Sequence, residues 1–140
     1  MEFIKLKPSA QTPAKSTEGS AGYDLYATED VVISPYSTHK ASTGIALAIP
    51  KGVAGLLYAR SSLSVNSGVS LANGVGVIDS DYRGEVLVPL YNSNPMPFSI
   101  RRGMKIAQII FTPYLEPVLR EVESLEDTVR GDGGFGSTGE

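Results

Sequence analysis

Short apolar runs recur along the whole of this chain, and each is cut off by Gly, Pro, Ser, Thr or Asn. That punctuation constrains the fold more than any other feature. Runs this brief fit strands, whereas an amphipathic helix needs a longer stretch to bury a face. Residues 3–7 alternate polar and apolar up to Pro8, and residues 8–20 read as a loop rich in Pro, Ser, Thr and Gly. Further strands are predicted over 21–27, 31–33, 43–49, 53–59, 86–91, 98–100, 106–111 and 118–122, with turns at 50–52, 64–68, 92–97 and 101–103. Pro89 lies inside one of these strands and cannot donate to a ladder, so one side of that strand lacks a partner. No long amphipathic helix and no internal repeat is legible. The pattern predicts an all-β protein, an antiparallel sandwich or barrel. A boundary falls at 124. From Glu126 onward only Val129 and Phe135 can be buried, so residues 125–140 are expected as a flexible, Gly-rich C-terminal arm on a domain of residues 1–124.

Composition narrows the chemistry. The chain has 140 residues, enough for one domain with a real core. It has no cysteine and a single histidine, His39, so a metal ion would be held by oxygen, as Mg²⁺ is. A net charge of −3 argues against non-specific nucleic-acid binding, though local arginines can still serve an anionic substrate. No apolar run approaches bilayer length and the N-terminus lacks a signal-peptide core, so a soluble intracellular protein is expected, in cytoplasm or nucleus, cellular or virus-encoded.

Residues 73–85 read as two short strands folded back on each other. They concentrate chemistry that a structural hairpin does not need: Asn73, Asp79, Asp81, Tyr82 and Arg83, with recurrent glycine letting other groups approach the main chain. A second stretch runs Arg130, Gly131, Asp132, Gly133, Gly134, Phe135, Gly136, Ser137, Thr138. Glycines let successive N–H groups curl round an anion, arginine adds a fork suited to phosphate, and Phe135 offers a flat face. A plain linker has the same composition, and the pattern is not a Walker A loop, because it lacks Gly-Lys-Ser/Thr. Arg60, Ser61 and Ser62 sit where a strand ends, as a phosphate grip or as an exposed turn. Asp24 interrupts an apolar strand and needs a partner. Gln108 lies in the most apolar run, where its amide must be satisfied.

In this order (21–25, 59–63, 73–85, 103–110 and 130–139) the stretches resemble the five motifs of the homotrimeric dUTP pyrophosphatases, the dUTPases. The resemblance covers nearly the whole chain. It implies a jelly-roll-like subunit, a homotrimer with active sites shared between chains, and hydrolysis of dUTP to dUMP and pyrophosphate, which keeps uracil out of DNA and supplies dUMP for thymidylate synthesis. It implies that Asn73 and main-chain groups of Gly76, Val77 and Ile78 read uracil, with the backbone near Leu87 in reach. Tyr82 would pack under the deoxyribose and leave no room for a 2′-hydroxyl. Arg60, Ser61, Ser62, Gln108, Arg130, Ser137 and Thr138 would contact phosphates, Gly136 would offer its N–H, and Phe135 would stack on the base. Asp24 would help hold Mg²⁺ through bound water. Lys105 stands where many members have arginine, and it receives no role.

Asp79 is the expected catalytic base. Hydrolysis between the α- and β-phosphates needs a water aligned on the α-phosphorus, and a carboxylate in reach can orient it and take its proton. Asp81 reads as a turn residue. Two other readings stand beside this one. A dCTP deaminase, or a bifunctional relative of the same fold, carries Pro-Gly-Phe after Ile-Asp, where this chain has Ser80, Asp81 and Tyr82. A non-catalytic trimer that binds nucleotide would not need Asp79, Arg60, Gln108 and Arg130 together.

Overall fold

The computed structural model describes residues 1–134. Its strands, in chain order, are β1 (Glu2–Lys5), β2 (Tyr23–Tyr26), β3 (Val31–Ile33), β4 (Thr38–Ser42), β5 (Ile45–Ala48), β6 (Val53–Tyr58), β7 (Val69–Leu71), β8 (Gly76–Ile78), β9 (Leu87–Asn92), β10 (Phe98–Ile100) and β11 (Lys105–Pro113). Among the described residues a single short helix, α1 (Ser61–Ser67), follows β6. All strand pairs are antiparallel. They form a four-stranded sheet ordered β2-β11-β6-β8, a three-stranded sheet β4-β9-β7, and the pairs β1-β5 and β3-β10. None of these sheets closes into a barrel.

The apolar faces of all four sheets meet in one core that includes Leu25, Ile33, Leu57, Leu90, Ile100 and Ile109. β11 is the spine of the large sheet, pairing with β2 on one side and β6 on the other. Its apolar run fits that central place: Ile106, Ala107 and Ile109 are fully buried in the core. Pro89 sits in β9 opposite Lys40 of β4, and the β7 ladder stops at Leu90, one residue short of the proline. The missing N–H thus falls where β7 has ended.

Four expectations need correction. Residues 61–67 are helical, not a strand end followed by a turn. The helix buries only Leu63, it lacks a side-chain cap, and Gly68 at φ 61 ends it. Seven residues with one buried side chain leave no period to read. Residues 73–85 are not two paired strands. Only β8 is a strand, and its partner is Gly55–Leu57 of β6. Residues 118–122 form no strand: Val118 and Leu119 are 96% and 91% exposed. β11 ends at Pro113, and Pro117, which lacks an N–H, stands directly before this segment. Finally, β4 and β7 went unread, because each is short and mixes polar with apolar residues.

Buried Asn92 ties the ends of this frame together. Its Nδ2 donates to the carbonyls of Ile33, Ser34 and Met96 at 3.2, 3.3 and 2.8 Å. Its Oδ1 accepts from the Asn94 backbone and side chain at 3.0 and 2.8 Å. Every polar atom of this fully buried amide is therefore satisfied.

Candidate active site

The phosphate-binding candidates gather at one end of the large sheet. Register places Asp24 of β2 opposite Gln108 of β11, and Gln108 opposite Tyr58 of β6. Arg60, two residues beyond Tyr58, reaches back across this row and pairs with Asp24 Oδ1. Asp24 Oδ2 accepts from Ser16 Oγ at 2.9 Å and lies 2.7 Å from Lys105 Nζ, which also donates to Ser16 Oγ at 3.3 Å. Gln108 lies between them, its Nε2 3.4 Å from the Ala59 carbonyl. A Cβ on Gly22 would stand 2.5 Å from Gln108 Oε1, so only glycine admits this amide.

Asp24 is 5% exposed. Burial on its own would raise its pKa. The bonds from Lys105, Ser16 and Arg60, with the charge of Arg60, overcome that and hold the carboxyl below its ordinary value. The partner that a buried charge requires is thus supplied twice over. Two cations face one anion here, and the surplus positive charge suits a phosphate chain. Direct coordination of a metal ion by Asp24 does not fit this arrangement, because both its oxygens are engaged and two cations adjoin it. Among the described residues no three His, Asp or Glu side chains converge on a possible metal position. Asp24 is thus a cation-pairing residue in this chain, and the role expected for it toward Mg²⁺, through bound water, calls for no direct metal bond. Lys105 and Ser16 were missed as members of this cluster. An unassigned basic residue beside Gln108 was the one available signal for Lys105, and Ser16 gave none.

Ser61 and Ser62 open α1 with exposed side chains. Asn73 is an exposed turn residue, followed by Gly74 at φ 69, a conformation that glycine adopts without strain. Asn73 Nδ2 lies 3.4 Å from where a Cβ of Gly76 would be. β8 is an edge strand, paired with β6 alone among the described residues. Its outer side leaves backbone donors and acceptors for another partner. Gly76 is buried, Val77 is 61% exposed and Ile78 is half-buried.

Asp79 leaves β8 and turns into a loop in which the Tyr82 N–H donates to the Asp79 carbonyl at 3.2 Å. The Asp79 side chain lines an open cleft with Lys51, Asp81, Tyr114 and Glu116. A hydrogen bond to Glu116 pushes the Tyr114 phenol above its ordinary value, and the charge of Asp79 adds to that. Tyr82 is 43% exposed, its hydroxyl donating to the Glu85 carbonyl at 3.0 Å. Leu87, 39% exposed, begins β9 in the other large sheet.

These residues form two groups in the single chain. Ile78 pairs with Gly55 at the start of β6, whereas Arg60 follows the end of that strand. At about 3.3 Å per residue, Asp79 and Arg60 are roughly 20 Å apart. Asp24, Arg60, Lys105 and Gln108 come together. Asn73 stands beside Gly76, and Asp79 and Tyr82 share a loop, but neither reaches the cationic cluster. Arg130 is exposed in a turn closed by the Gly133 N–H on its carbonyl at 3.1 Å. Phe135, Gly136, Ser137 and Thr138 lie outside the described residues. No helix among those described is long and apolar enough to cross a membrane.

Comparison with known proteins adds to this geometry. The dUTPase family model matches residues 9–139. A deoxyuridine 5'-triphosphate nucleotidohydrolase of Corynebacterium glutamicum is 44% identical over 140 residues, covering 99% of this chain and 94% of that protein. The solved Staphylococcus bacteriophage 80alpha dUTPase with dUPNHPP superposes with a TM-score of 0.92 at 28% identity, covering 99% of this chain and 98% of that one. A mutant dUTPase from phage phi11 of S. aureus, whose structure describes the coordination of a structural Mg(II) ion, superposes with a TM-score of 0.83 at 26% identity, covering 90% of this chain and 98% of that one.

Proposed function

This chain belongs to the dUTPase family, and on that premise we propose that it hydrolyses dUTP to dUMP and pyrophosphate. The observation that carries the base specificity is the unpaired outer edge of β8. Uracil presents an acceptor, a donor and an acceptor on its pairing edge. A strand edge answers with alternating N–H and C=O groups, and the Asn73 amide supplies one donor and one acceptor. Cytosine reverses two of the three positions and leaves site groups unpaired, which gives discrimination of about 10⁴ or more. The same contrast disfavours a dCTP deaminase.

Tyr82 lies under the deoxyribose and excludes a 2′-hydroxyl by contact, with the main chain near Leu87 alongside. Arg60, Ser61, Ser62 and Gln108 receive the phosphates, Arg60 by exchanging part of its pairing with Asp24 for phosphate oxygens. Asp79 orients a water on the α-phosphorus and takes its proton. The bond from the α-phosphorus to the bridging oxygen breaks, and pyrophosphate leaves. Arg130 adds positive charge against the leaving group. Residues 125–140 form an arm, separate from the domain of residues 1–124, that closes over the site with Phe135 on the base and Gly136, Ser137 and Thr138 on the phosphates. When bound, Mg²⁺ would neutralise charge on the triphosphate, with Asp24 as the residue that would hold it through water.

The separation of Asp79 from Arg60 supports a site assembled from more than one chain, in a homotrimer. No triphosphate bound at Arg60 of one chain can bring its α-phosphorus to Asp79 of that chain across roughly 20 Å of sheet.

Replacing Asp79 by Asn tests the assignment. The variant is expected to bind a non-hydrolysable dUTP analogue as the parent does and to release no pyrophosphate. Hydrolysis at the parent rate would remove Asp79 from its role.

A further inference from the structure

Glu85 lies outside every role given above, yet among the described residues its carboxylate is the most heavily bonded acid after Asp24. Its Oε1 accepts from Ser42 Oγ at 2.5 Å and from the Gly44 N–H at 2.7 Å, with Lys7 Nζ 3.9 Å away. Ser42 Oγ in turn accepts from Thr28 Oγ1 and from Lys7 Nζ, each at 2.7 Å. Ser42 therefore has its own proton free for Glu85. The next residue is fixed as well: the Val86 N–H donates to the Ile45 carbonyl at 2.8 Å, and Thr43 Oγ1 donates to the Val86 carbonyl at 2.6 Å. Residues 85–86 are thus clamped to residues 42–45.

This clamp holds one end of the loop that carries Tyr82. The Tyr82 hydroxyl donates to the main-chain carbonyl of Glu85. The ring lies directly on the bare backbone of Gly84, where an added Cβ would stand 2.4 Å from the hydroxyl oxygen and 2.6 Å from Cζ. An aromatic ring that is 43% exposed has little packing of its own to fix it. Its position comes from the Glu85 carbonyl above it and Gly84 beneath it. A steric filter against one hydroxyl works only if the ring cannot retreat by an ångström.

We propose that Glu85 is the positioning residue that sets discrimination between 2′-deoxy and 2′-hydroxy nucleotides, acting through its carboxylate on residues 42–44 and through its carbonyl on Tyr82. This rests on the reading of the site as a dUTP hydrolase, and it assigns the sugar filter to a clamp remote from the sugar.

The test measures kcat and KM for dUTP and UTP in the parent, E85Q, Y82F, G84A and the E85Q/Y82F pair. E85Q keeps the shape and removes the charge that holds Ser42 and Lys7. Its ratio of kcat/KM for dUTP over UTP is expected to fall by about tenfold, mostly through a lower KM for UTP. Y82F breaks only the link to the Glu85 carbonyl and G84A pushes the ring off its seat. Both are expected to lower the ratio, and the double variant to lower it no further than E85Q alone. If E85Q does not fold, S42A, which removes the hydroxyl donor to the Glu85 carboxylate and leaves Glu85 in place, carries the test and is expected to lower the ratio as well. A parent that turns over dUTP, with variants whose ratio stays within about twofold of it, would overturn the clamp and leave the hydrolase reading standing. A parent that does not turn over dUTP would remove both.

Discussion

Asp79 and Arg60 lie at opposite ends of one strand. Asp79 follows β8 beside the start of β6, while Arg60 follows the end of β6 and pairs with Asp24 across β11. On the roles proposed for them, a base and a phosphate grip held roughly 20 Å apart would meet one substrate only from different chains. If active sites are shared, two defective chains can complement each other. Asp79→Asn and Arg60→Ala are each expected to be nearly inactive alone. Mixed, partly unfolded and refolded together, they are expected to recover a measurable fraction of parental pyrophosphate release, from sites that take Asp79 from one chain and Arg60 from another. A mixture no more active than its components would contradict sharing.

Asp24 carries two cations, and its own side chain is 7% exposed against 25% for Arg60 and 40% for Lys105. Asp24→Asn removes the anion and leaves two neighbouring positive charges to repel. Because both cations are partly solvated, the cost is expected at about 1–2 kcal/mol, not the larger loss of a fully buried pair. Urea unfolding at neutral pH measures it. The same variant frees Arg60, and a rise in KM for dUTP with kcat little changed is the expected kinetic signature.

Glu85 gives the fold an acid-sensitive joint. Burial raises its pKa, but bonds from Ser42 and Gly44, the charge of Lys7 and a further backbone contact at Thr43 together bring it below its ordinary value. A carboxyl that ionises more readily in the folded chain stabilises the fold above the pKa it has when unfolded. That stabilisation is lost as pH falls through the folded value. Asp24 acts in the same direction. The urea midpoint is expected to hold steady from pH 7 to about pH 5 and to drop below about pH 4. The Glu85→Gln variant is already without this contribution at neutral pH, so its acid drop is expected to be shallower than the parent's. An equal drop in both proteins would contradict the assignment.

Asn92 is fully buried and answers three carbonyls from two segments. Asn92→Ala would leave those carbonyls unpaired and open a cavity. The expected loss is about 2–4 kcal/mol, read as a lower urea midpoint, with the substrate preference of the remaining folded protein unchanged.

The sequence announced its strands wherever apolar residues were continuous or flanked by Pro and Gly. Residues 31–33 and 98–100 are read to the residue, and β11 to within two at either end. It did not announce α1, where Leu63 alone is buried, or β4, whose Thr38, His39 and Lys40 look like loop. Nor did it reveal which strand β8 would choose. That partner lies about twenty residues back in β6, and local pattern does not specify pairing over such a separation. At the site, the need of Asp24 for a partner was legible from its apolar surroundings. The identity of that partner, 36 residues away, was not. A lone buried carboxylate in sequence reveals its need for a partner, not that two cations already hold it.

The most direct test of the central claim is pyrophosphate release, in the presence of Mg²⁺, from dUTP, dCTP, dTTP and UTP assayed side by side. Release from dUTP, with the other three lower by about 10³ or more, is the predicted result. Ammonia from dCTP, or silence on all four while dUTP still binds, would contradict it.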